Sequence, residues 1–599
     1  MGRIVVFLGM CLLLAGQFEE SRELYGGIDT ENYFALLLGT AAVIVCFVKV
    51  PGKLYAGDVV GFGLFVYLLV HAGVAGATQS REFYLSISYF ALYAVFRTVR
   101  EMRMTNYASL ALMAAGIYQS YLVLEQLLGH GVSNHYRFAV TGSFYNPGPC
   151  GIFLAGIFVL SVAMVRKGYR KAGMNVMFVR YVTAWAALSG TWTAMVPTMS
   201  RAGWIGAAAG VALLYRKEIR KALGKCRHWI AVAGVVALVG VAAVVYLLKK
   251  DSADGRLFIW RNVVAACEEA PVFGVGIDGF ERAYAEAQHD FFQKKNALEQ
   301  DVRQAEVAGV VESAFNEPLA LLLLLGGVGG MLGISVLFFK LRRLNEYGCV
   351  ASALLVASLF SYPFYVPAIS MVFVFALAQC PDRPFRMNRK ANRVMWGTVG
   401  MVALFFNCRE YGKREAYREW KEVSVLYSVE NFQEASEEYA RLYSTLHHDH
   451  RFLFEYGRCL NKTGEYEMSN AVLKEGIRHS ADPMFWNVMG NNYLAMKQYS
   501  LCEKAYLRAY HTCSNRICPL YLLVKMSREQ GDSTKMRHYV QIMLSKLCEL
   551  EEQNQPITAR LFQEIFFGQD KEPEAVRTSS APCRSTMTNA VPWSVKITP

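Results

Sequence analysis

The sequence predicts an all-α membrane protein that ends in a helical repeat domain. Hydrophobic residues make up 54% of the 599 residues and charged residues 19%, and the mean hydropathy is +0.21. This composition excludes both a disordered chain and a purely soluble one. Apolar runs fill most of the first 407 residues, and a repeat of 33 to 34 residues follows them. A chain of this length has room for roughly four domains.

Thirteen apolar runs are candidates for membrane helices. Several are shorter than the roughly 20 residues of a straight crossing, so we expect about 12–13 spans. Helices 1–9 fall in residues 1–248 and helices 10–13 in residues 316–407. The first run also fits a signal peptide, but no small-x-small cleavage site precedes Gln17, which favours an uncleaved helix. The runs are 4–16, 33–48, 59–77, 84–97, 107–128, 147–165, 181–198, 203–215, 229–248, 317–339, 348–361, 366–380 and 394–407.

The basic residues indicate the topology. With the N-terminus on the cytoplasmic side, the inner loops carry 25 Lys and Arg, and the short outer loops carry 4. The positive-inside rule therefore places the large loop, residues 249–315, and everything after residue 408 outside the inner membrane, in the periplasm of a two-membrane bacterium. The net charge of +13 lies almost wholly beside the spans, because residues 408–599 hold 25 bases and 24 acids. This distribution excludes a nucleic-acid partner.

The tail after residue 415 contains a repeat. Asn431-Phe432, Glu465-Tyr466 and Gln498-Tyr499 recur at spacings of 34 and 33. The third unit, from Trp486 to Ala509, resembles the tetratricopeptide pattern of large, small and aromatic positions. We expect an α-solenoid over residues 415–548 that binds a protein partner, with an unrelated helical bundle as the alternative. The Ser-, Thr- and Pro-rich residues 569–599 are predicted to be disordered.

Three arginines outside the membrane are candidates for binding a diphosphate. Arg201 directly follows a span, and Arg256 and Arg261 flank Phe258 and Trp260 in the large loop. The planar guanidinium keeps its charge and forms paired hydrogen bonds with phosphate oxygens. Alternatively, Arg201 reaches lipid headgroups and Arg256 lies on a solvated helix face. The 14 cysteines form no CxxC pair and no His/Cys cluster has zinc spacing, so neither a metal nor a cofactor is expected.

The end of the large loop supplies the candidates for acid–base chemistry. Glu317 opens a long apolar helix, where it either complements the helix dipole or serves as a catalytic carboxylate. Asn316 is a helix cap by default. His289 is the only histidine in the large loop, and a structural role is favoured over an acid–base role. The glycine run 326–330 suggests close helix packing.

These segments, in this order, resemble the superfamily of bacterial O-antigen ligases and O-antigen polymerases, which includes the pilin-type protein O-oligosaccharyltransferases. The resemblance rests on a G-x-F-x-N turn, an S-R-[AG] motif, R-x-x-x-W, P-x-x-G-x-G-x-x-x-F, and H-N-x-x-L with a downstream G-x-x-G. It covers about residues 140–340. The matching residues are Gly142, Phe144 and Asn146; Ser200-Arg201-Ala202; Arg256 and Trp260; Pro271, Gly274, Gly276 and Phe280; and Asn316 and Leu319 with Gly326 or Gly327 and Gly330.

The chain departs from the family at one position. Many members have a His before the Asn, which is the usual candidate base, and here that residue is Phe315. Either another group replaces this His, or this branch has a different mechanism, or the protein is inactive. Glu317 and Glu312 are the nearest replacements, because a carboxylate at a low-dielectric interface can have a raised pKa. The resemblance therefore implies catalytic roles for Glu317, Asn316 and Arg256.

The resemblance implies glycosyl transfer from an undecaprenyl-diphosphate-linked glycan to lipid A-core, a glycan or a protein. Arg201, Arg256 and Arg261 would hold the diphosphate, so that no metal is required. A ligase is the leading interpretation, and a polymerase or a protein O-oligosaccharyltransferase is the alternative. A membrane-anchored tetratricopeptide scaffold without enzymatic activity is the competing class. A transporter is disfavoured, because charged residues are scarce within the spans.

Overall fold

The computed structural model describes residues 2–18, 22–47, 50–168, 174–223, 250–294 and 308–551. The described chain is built of helices, which confirms the all-α class, apart from one antiparallel pair of two-residue strands, Leu54–Tyr55 and Pro384–Phe385. The helices of the first part are α1 Gly2–Ala15, α2 Ile28–Cys46, α3 Ala56–Ala75, α4 Arg81–Glu101, α5 Thr105–Leu127, α6 Pro147–Lys167, α7 Met174–Met195, α8 Arg201–Leu214, α9 Arg216–Leu223, α10 Lys250–Glu269, α11 Phe280–Lys294, α12 Glu317–Leu341, α13 Glu346–Ser358, α14 Pro367–Gln379 and α15 Arg389–Tyr411.

Most of the predicted spans coincide with helices. The run 229–248 and the tail 569–599 lie outside the described residues. By length and composition, five of the described helices can cross a membrane: α2, α3, α5, α6 and α12. Shorter apolar helices accompany them at Ile4–Ala15, Arg201–Leu214, Glu346–Ser358 and Pro367–Gln379. The total of about 12–13 crossings stays a prediction.

Helix α6 lies at the centre of the membrane part, packed between α5, α7, α8 and α13. Small residues permit this central position. A Cβ atom on Gly203 of α8 would lie 2.7 Å from the carbonyl oxygen of Gly151 in α6, and one on Gly206 would lie 2.6 Å from that of Ala353 in α13. The three helices therefore approach so closely that only glycine fits at the crossings.

Helix α12 is interrupted at Gly326, which has φ 63° and ψ −170°, a conformation that glycine alone adopts readily. The break frees backbone groups, which pair with the segment 271–276 of the large loop. The amide of Val275 donates to Leu323 O at 2.9 Å, and the amide of Gly327 donates to Pro271 O at 2.9 Å. The glycine run thus admits a loop backbone as well as the neighbouring helix α3.

Four charged side chains are buried together where α3, α4 and α12 meet the segment before α15. Lys340 Nζ lies 2.7 Å from Asp58 Oδ1 and 3.4 Å from Asp382 Oδ2, and Arg97 Nη2 lies 3.3 Å from Asp58 Oδ2. The side chains of all four are fully buried. Lys340 was expected in a cytoplasmic loop. Burial is tolerated because two acids balance two bases.

The tail folds as four consecutive helix pairs. They are α16 Arg414–Ser428 with α17 Phe432–Leu446, α18 His450–Thr463 with α19 Tyr466–Gly476, α20 Met484–Ala495 with α21 Tyr499–Thr512, and α22 Cys518–Gln530 with α23 Ser533–Glu551. The small and aromatic repeat positions meet as expected, because the ring of Tyr506 fills the space beside Gly490. The fourth pair completes the α-solenoid expected over residues 415–548.

The tail packs against the rest of the chain at two places. At the first, the segment 22–27 meets α16, and the amide of Tyr25 donates to Tyr417 O at 3.1 Å. At the second, α11 of the large loop contacts α21, where Arg508 pairs with Glu286. These contacts hold the tail over the ends of α2 and the large loop.

Candidate functional site

A cavity of about 2090 Å³ lies where the membrane part, the large loop and the tail meet. Four of the predicted motifs contribute to its lining. These are the turn before α6, the start of α8, the α10 segment 256–260 and the stretch from Glu312 to Glu317. Residues that are more than 50 positions apart in the sequence therefore surround one space.

The G-x-F-x-N turn shapes the cavity beside α6. Gly142 has φ +60°, Phe144 is buried in the core, and the side chain of Asn146 accepts a hydrogen bond from the amide of Gly148 at 2.8 Å. The three motif residues thus provide a left-handed turn, an apolar anchor and a helix cap, in that order.

Arg201 is positioned against this turn. The hydroxyl of Ser200 donates to Gly148 O at 2.9 Å and accepts from the amide of Gly203 at 3.3 Å, which starts α8. The preceding Met199 is in the left-handed region, with φ +49°. Within the described chain, the Arg201 guanidinium has neither an ion pair nor a hydrogen bond, and Arg201 lines the cavity.

Arg256 and Trp260 lie one turn apart on α10, and both contact the 312–316 stretch. The indole of Trp260 donates to Ala314 O at 2.9 Å. The Arg256 guanidinium lies 5.4 Å from the Phe315 ring centroid, and its Nη1 donates to Phe360 O at 2.9 Å. Burial and the nearby positive charge of Arg201 lower the pKa of Arg256. No carboxylate within the described residues pairs with Arg256, so the two arginines form an uncompensated positive site.

Glu317 lies at the start of α12, with 5% of its surface exposed, and lines the cavity. Its Oε1 accepts a hydrogen bond from the amide of Phe364 at 3.0 Å. No described group hydrogen-bonds to its Oε2. Asn316 caps α12 by accepting from the amide of Leu319 at 3.1 Å, and it does not line the cavity. One carboxylate oxygen is thus anchored and the other is available.

Phe315 occupies the position of the family His and has φ +49°, the left-handed region that costs a non-glycine residue about 1–3 kcal/mol. Its ring lies between Arg256 and Tyr362, 5.3 Å from the Tyr362 centroid. Phe315 therefore forms part of the cavity wall. It supplies no titratable group.

Glu312 is the second carboxylate of this stretch, and it also lines the cavity. Burial raises the pKa of Glu312 to about 8, although the positive charges of Arg451 and Arg81 act in the opposite direction. It makes no hydrogen bond or ion pair to a described residue. Glu312 is therefore a second available carboxyl group in the cavity.

Two of the considered residues lie away from the cavity. The Arg261 guanidinium stacks on Phe291, 4.7 Å from the ring centroid. His289 is buried, with its Nδ1 3.0 Å from Arg508 and 3.1 Å from Asp290. The position of His289 agrees with the favoured structural role. Binding of the diphosphate by Arg261 stays a prediction.

The sequence analysis missed the cavity residues contributed by the starts of α2 and α4 and by the tail. The cavity is also lined by Asp29 at the start of α2, by Arg81 and Glu82 at the start of α4, and by residues 445, 446 and 448–451 of the tail. No sequence signal indicates that a repeat domain more than 200 residues after Arg201 reaches the same space. In the described part of the chain, no group of His, Cys, Asp and Glu has the arrangement of a metal site.

Two family models match the chain. Residues 186–334 match the family described as O-antigen ligase, and residues 417–481 match the family of YpiA-like C-terminal tetratricopeptide repeats. No curated protein matches the sequence. The first match spans Arg201, Arg256, Arg261, Asn316 and Glu317 but not the turn at Gly142, so the resemblance is confirmed over a shorter range than 140–340. Together with the apolar helices, these matches identify a multi-pass membrane protein with a tetratricopeptide tail.

Proposed function

Since residues 186–334 match the O-antigen ligase family, we propose that this protein transfers a glycan and uses an undecaprenyl-diphosphate-linked glycan as its donor. The acceptor receives the glycan at the periplasmic face of the bacterial inner membrane. The observation that carries the proposal is the shared cavity, in which two uncompensated arginines, Arg201 and Arg256, accompany the available carboxylate of Glu317.

The arginine pair is suited to the donor. A diphosphate diester carries two negative charges, and the leaving group gains a further negative charge as the glycosidic bond breaks. Two guanidinium groups that lack protein counter-ions stabilise that charge through charge-assisted hydrogen bonds. We assign this role to Arg201 and Arg256, and no metal is then required. Arg261 stays a predicted third ligand, although its stacking on Phe291 directs it elsewhere in this conformation.

Glu317 is the proposed general base. The acceptor hydroxyl oxygen forms a bond to the anomeric carbon while the bond from that carbon to the diphosphate oxygen breaks. The hydroxyl proton moves to Oε2 of Glu317, and undecaprenyl diphosphate leaves with the electron pair. The Phe364 amide fixes Oε1 and thereby the direction of the second oxygen. Asn316 acts through the backbone by starting α12, so it positions Glu317.

The ligase reaction, with lipid A-core as acceptor, is the leading candidate. A polymerase, with a glycan acceptor, or a protein O-oligosaccharyltransferase uses the same cavity chemistry and is the alternative. A purely scaffolding protein is disfavoured, because a scaffold has no use for unpaired arginines around a cavity of about 2090 Å³. The tetratricopeptide tail remains a proposed site for a protein partner.

The test compares Glu317→Gln with the parent protein in lipid nanodiscs, using donor lipid and acceptor extracted from producing cells. Removing a general base lowers kcat by roughly 10²–10⁴-fold, and we expect the KM for the donor lipid to change by less than about threefold. Glu467→Gln, at an exposed position of α19, is the matched control. Parent-like kcat in a folded Glu317→Gln protein would refute the assignment of the base. Absence of transfer by the parent protein would refute the function.

A further inference from the structure

The cavity extends well beyond the two arginines. Its lining continues through Glu281 and Glu312 of the large loop to the tail segment 445–451 and His479. We call Glu281, Glu312 and His450 the far wall. A diphosphate and its two arginines need only a small part of a space of about 2090 Å³. The far wall therefore faces a volume that the donor diphosphate does not require.

The far wall is polar but carries little net charge at neutral pH. Burial raises the pKa of Glu312 to about 8, and burial together with Glu312 raises that of Glu281. Burial lowers the pKa of His450 to about 4. The protonated carboxyl group of Glu312 and the neutral imidazole of His450 each both donate and accept hydrogen bonds. This chemistry suits uncharged hydroxyl groups better than a charged ligand.

The tail part of the far wall is rigidly held. Asp449 caps α18 and pairs with Arg451 at 3.3 Å. The Arg451 guanidinium lies 5.7 Å from the Tyr25 ring centroid and 5.9 Å from that of Trp420. His450 lies between these two fixed residues, lines the cavity, and has no hydrogen-bond partner in the described chain. Its imidazole is therefore available to a ligand.

The far wall is adjacent to the donor site through an aromatic residue. Tyr362 contacts Phe315, which contacts Arg256. Tyr362 also lies close enough to Glu312 and Arg256 for both charges to affect its pKa, which burial raises above its ordinary value. An aromatic ring beside hydrogen-bonding groups accommodates the apolar C–H face of a sugar ring. The far wall and Arg256 are thus linked through Tyr362 and Phe315.

We propose that Glu281, Glu312 and His450 form the acceptor subsite, and that the acceptor group bound there is a polyhydroxylated sugar. This proposal rests on the proposed function and adds that the tetratricopeptide tail contributes directly to acceptor binding. A polypeptide acceptor presents fewer hydroxyl groups than a sugar, and it carries charged side chains. The experiment must therefore exclude a polypeptide as the acceptor.

Photo-crosslinking in living cells tests the proposal and captures the ligand without a purified acceptor. Benzoylphenylalanine replaces His450 in the subsite, and it replaces Met199 beside Arg201 as a marker of the donor. His538, which is exposed on α23, is the matched control position. Each variant is examined with Arg256 present and in an Arg256→Ala background, and the adducts are identified by mass spectrometry and periodate sensitivity.

We expect a carbohydrate adduct at position 450 that exceeds the adduct at position 538 by at least tenfold. Arg256→Ala should reduce the undecaprenyl adduct at position 199 at least fivefold but change the adduct at position 450 less than twofold. Glu281→Ala together with Glu312→Ala, which removes these hydrogen-bonding groups, should lower the adduct at position 450 at least fivefold. The proposal of an acceptor subsite would be overturned if position 450 gave a peptide adduct or no carbohydrate adduct. It would also be overturned if the carbohydrate adduct at position 450 disappeared in the Arg256→Ala background. Absence of an undecaprenyl adduct at position 199 would instead refute the proposed function.

Discussion

Tyr25 and Trp420 stack with their ring centroids 3.7 Å apart and an interplanar angle of 15°. Tyr25 belongs to the short segment before α2, and Trp420 lies in α16, the first helix of the tail. Glu455 accepts hydrogen bonds from the hydroxyl of Tyr25 and from the indole of Trp420. Through this contact the N-terminal segment fixes the tail where it closes the cavity.

Replacing Tyr25 by Ala should loosen the tail. The variant loses an aromatic stack and buried ring area worth about 2 kcal/mol, and it leaves a buried carboxylate with one partner fewer. We expect limited proteolysis to cleave between residues 411 and 432 at least fivefold faster than in the parent protein. Tyr25→Phe keeps the stack but loses the hydrogen bond to Glu455, so its cleavage rate should lie between those of Tyr25→Ala and the parent. Equal rates for Tyr25→Ala and the parent would show that the stack does not hold the tail.

Gly326→Ala should disrupt the junction of α12 with the large loop. A Cβ atom there would overlap the carbonyl of Val272, and φ of 63° with ψ of −170° is strained for alanine by about 1–3 kcal/mol. We expect a fall in the thermal midpoint of the detergent-purified protein and a loss of transfer. Gly333→Ala, on the same helix with open space around it, should be neutral or mildly stabilising. Similar midpoints for the two variants would contradict this explanation of the kink.

The buried charges predict a non-additive pair of substitutions. Lys340→Met leaves Asp58 and Asp382 with Arg97 alone and should destabilise the protein by about 3–5 kcal/mol. Adding Asp382→Asn leaves one acid and one base, so that the charges balance again. The double variant should therefore recover at least half of the lost free energy of unfolding, as measured by chemical denaturation. Additive losses in the two substitutions would mean that charge balance is not what stabilises this cluster.

The raised pKa of Glu312 leads to a prediction of how the stability of the protein depends on pH. Its folded pKa of about 8 exceeds the ordinary value of 4.5, so the neutral carboxyl contributes stability that is fully present below pH 4.5 and is lost as pH rises to about 8. Glu281 shifts in the same direction. His450, whose pKa is lowered from 6.5 to about 4, acts in the opposite direction only below pH 6.5, so the thermal midpoint of the parent should fall between pH 6.5 and pH 8. The fall should be smaller in Glu312→Gln, and an equally steep fall in that variant would contradict burial of Glu312.

Much of the fold could be predicted from local patterns. Apolar runs and repeat spacing depend on neighbouring residues, and the helices α3 to α6 and α16 to α23 follow them. The kink at Gly326 could not be predicted, because a glycine run fits close helix packing equally well. The kink forms because the backbone of α12 pairs with the carbonyls of a loop some 50 residues earlier in the chain.

The candidate site was predictable in part. The motifs indicated Arg201, Arg256 and Glu317, and the structure brings them to one cavity. The cap role of Asn316 follows from its position before Glu317-Pro318. His450 and Asp29 were missed because their proximity to the site arises only from docking of the tail on the N-terminal segment. Such contacts leave no periodic or spacing signal in one sequence.

The most direct measurement is the pool of undecaprenyl-diphosphate-linked glycan in cells that carry Arg256→Ala, quantified by mass spectrometry of lipid extracts. Loss of the guanidinium should abolish transfer and raise this pool at least tenfold while the variant accumulates normally in the membrane. Long chains on the lipid would indicate a ligase or protein transferase, and single repeat units a polymerase. A pool equal to that of parent cells, with the variant protein present in the membrane, would contradict the role of Arg256 and favour the scaffold interpretation.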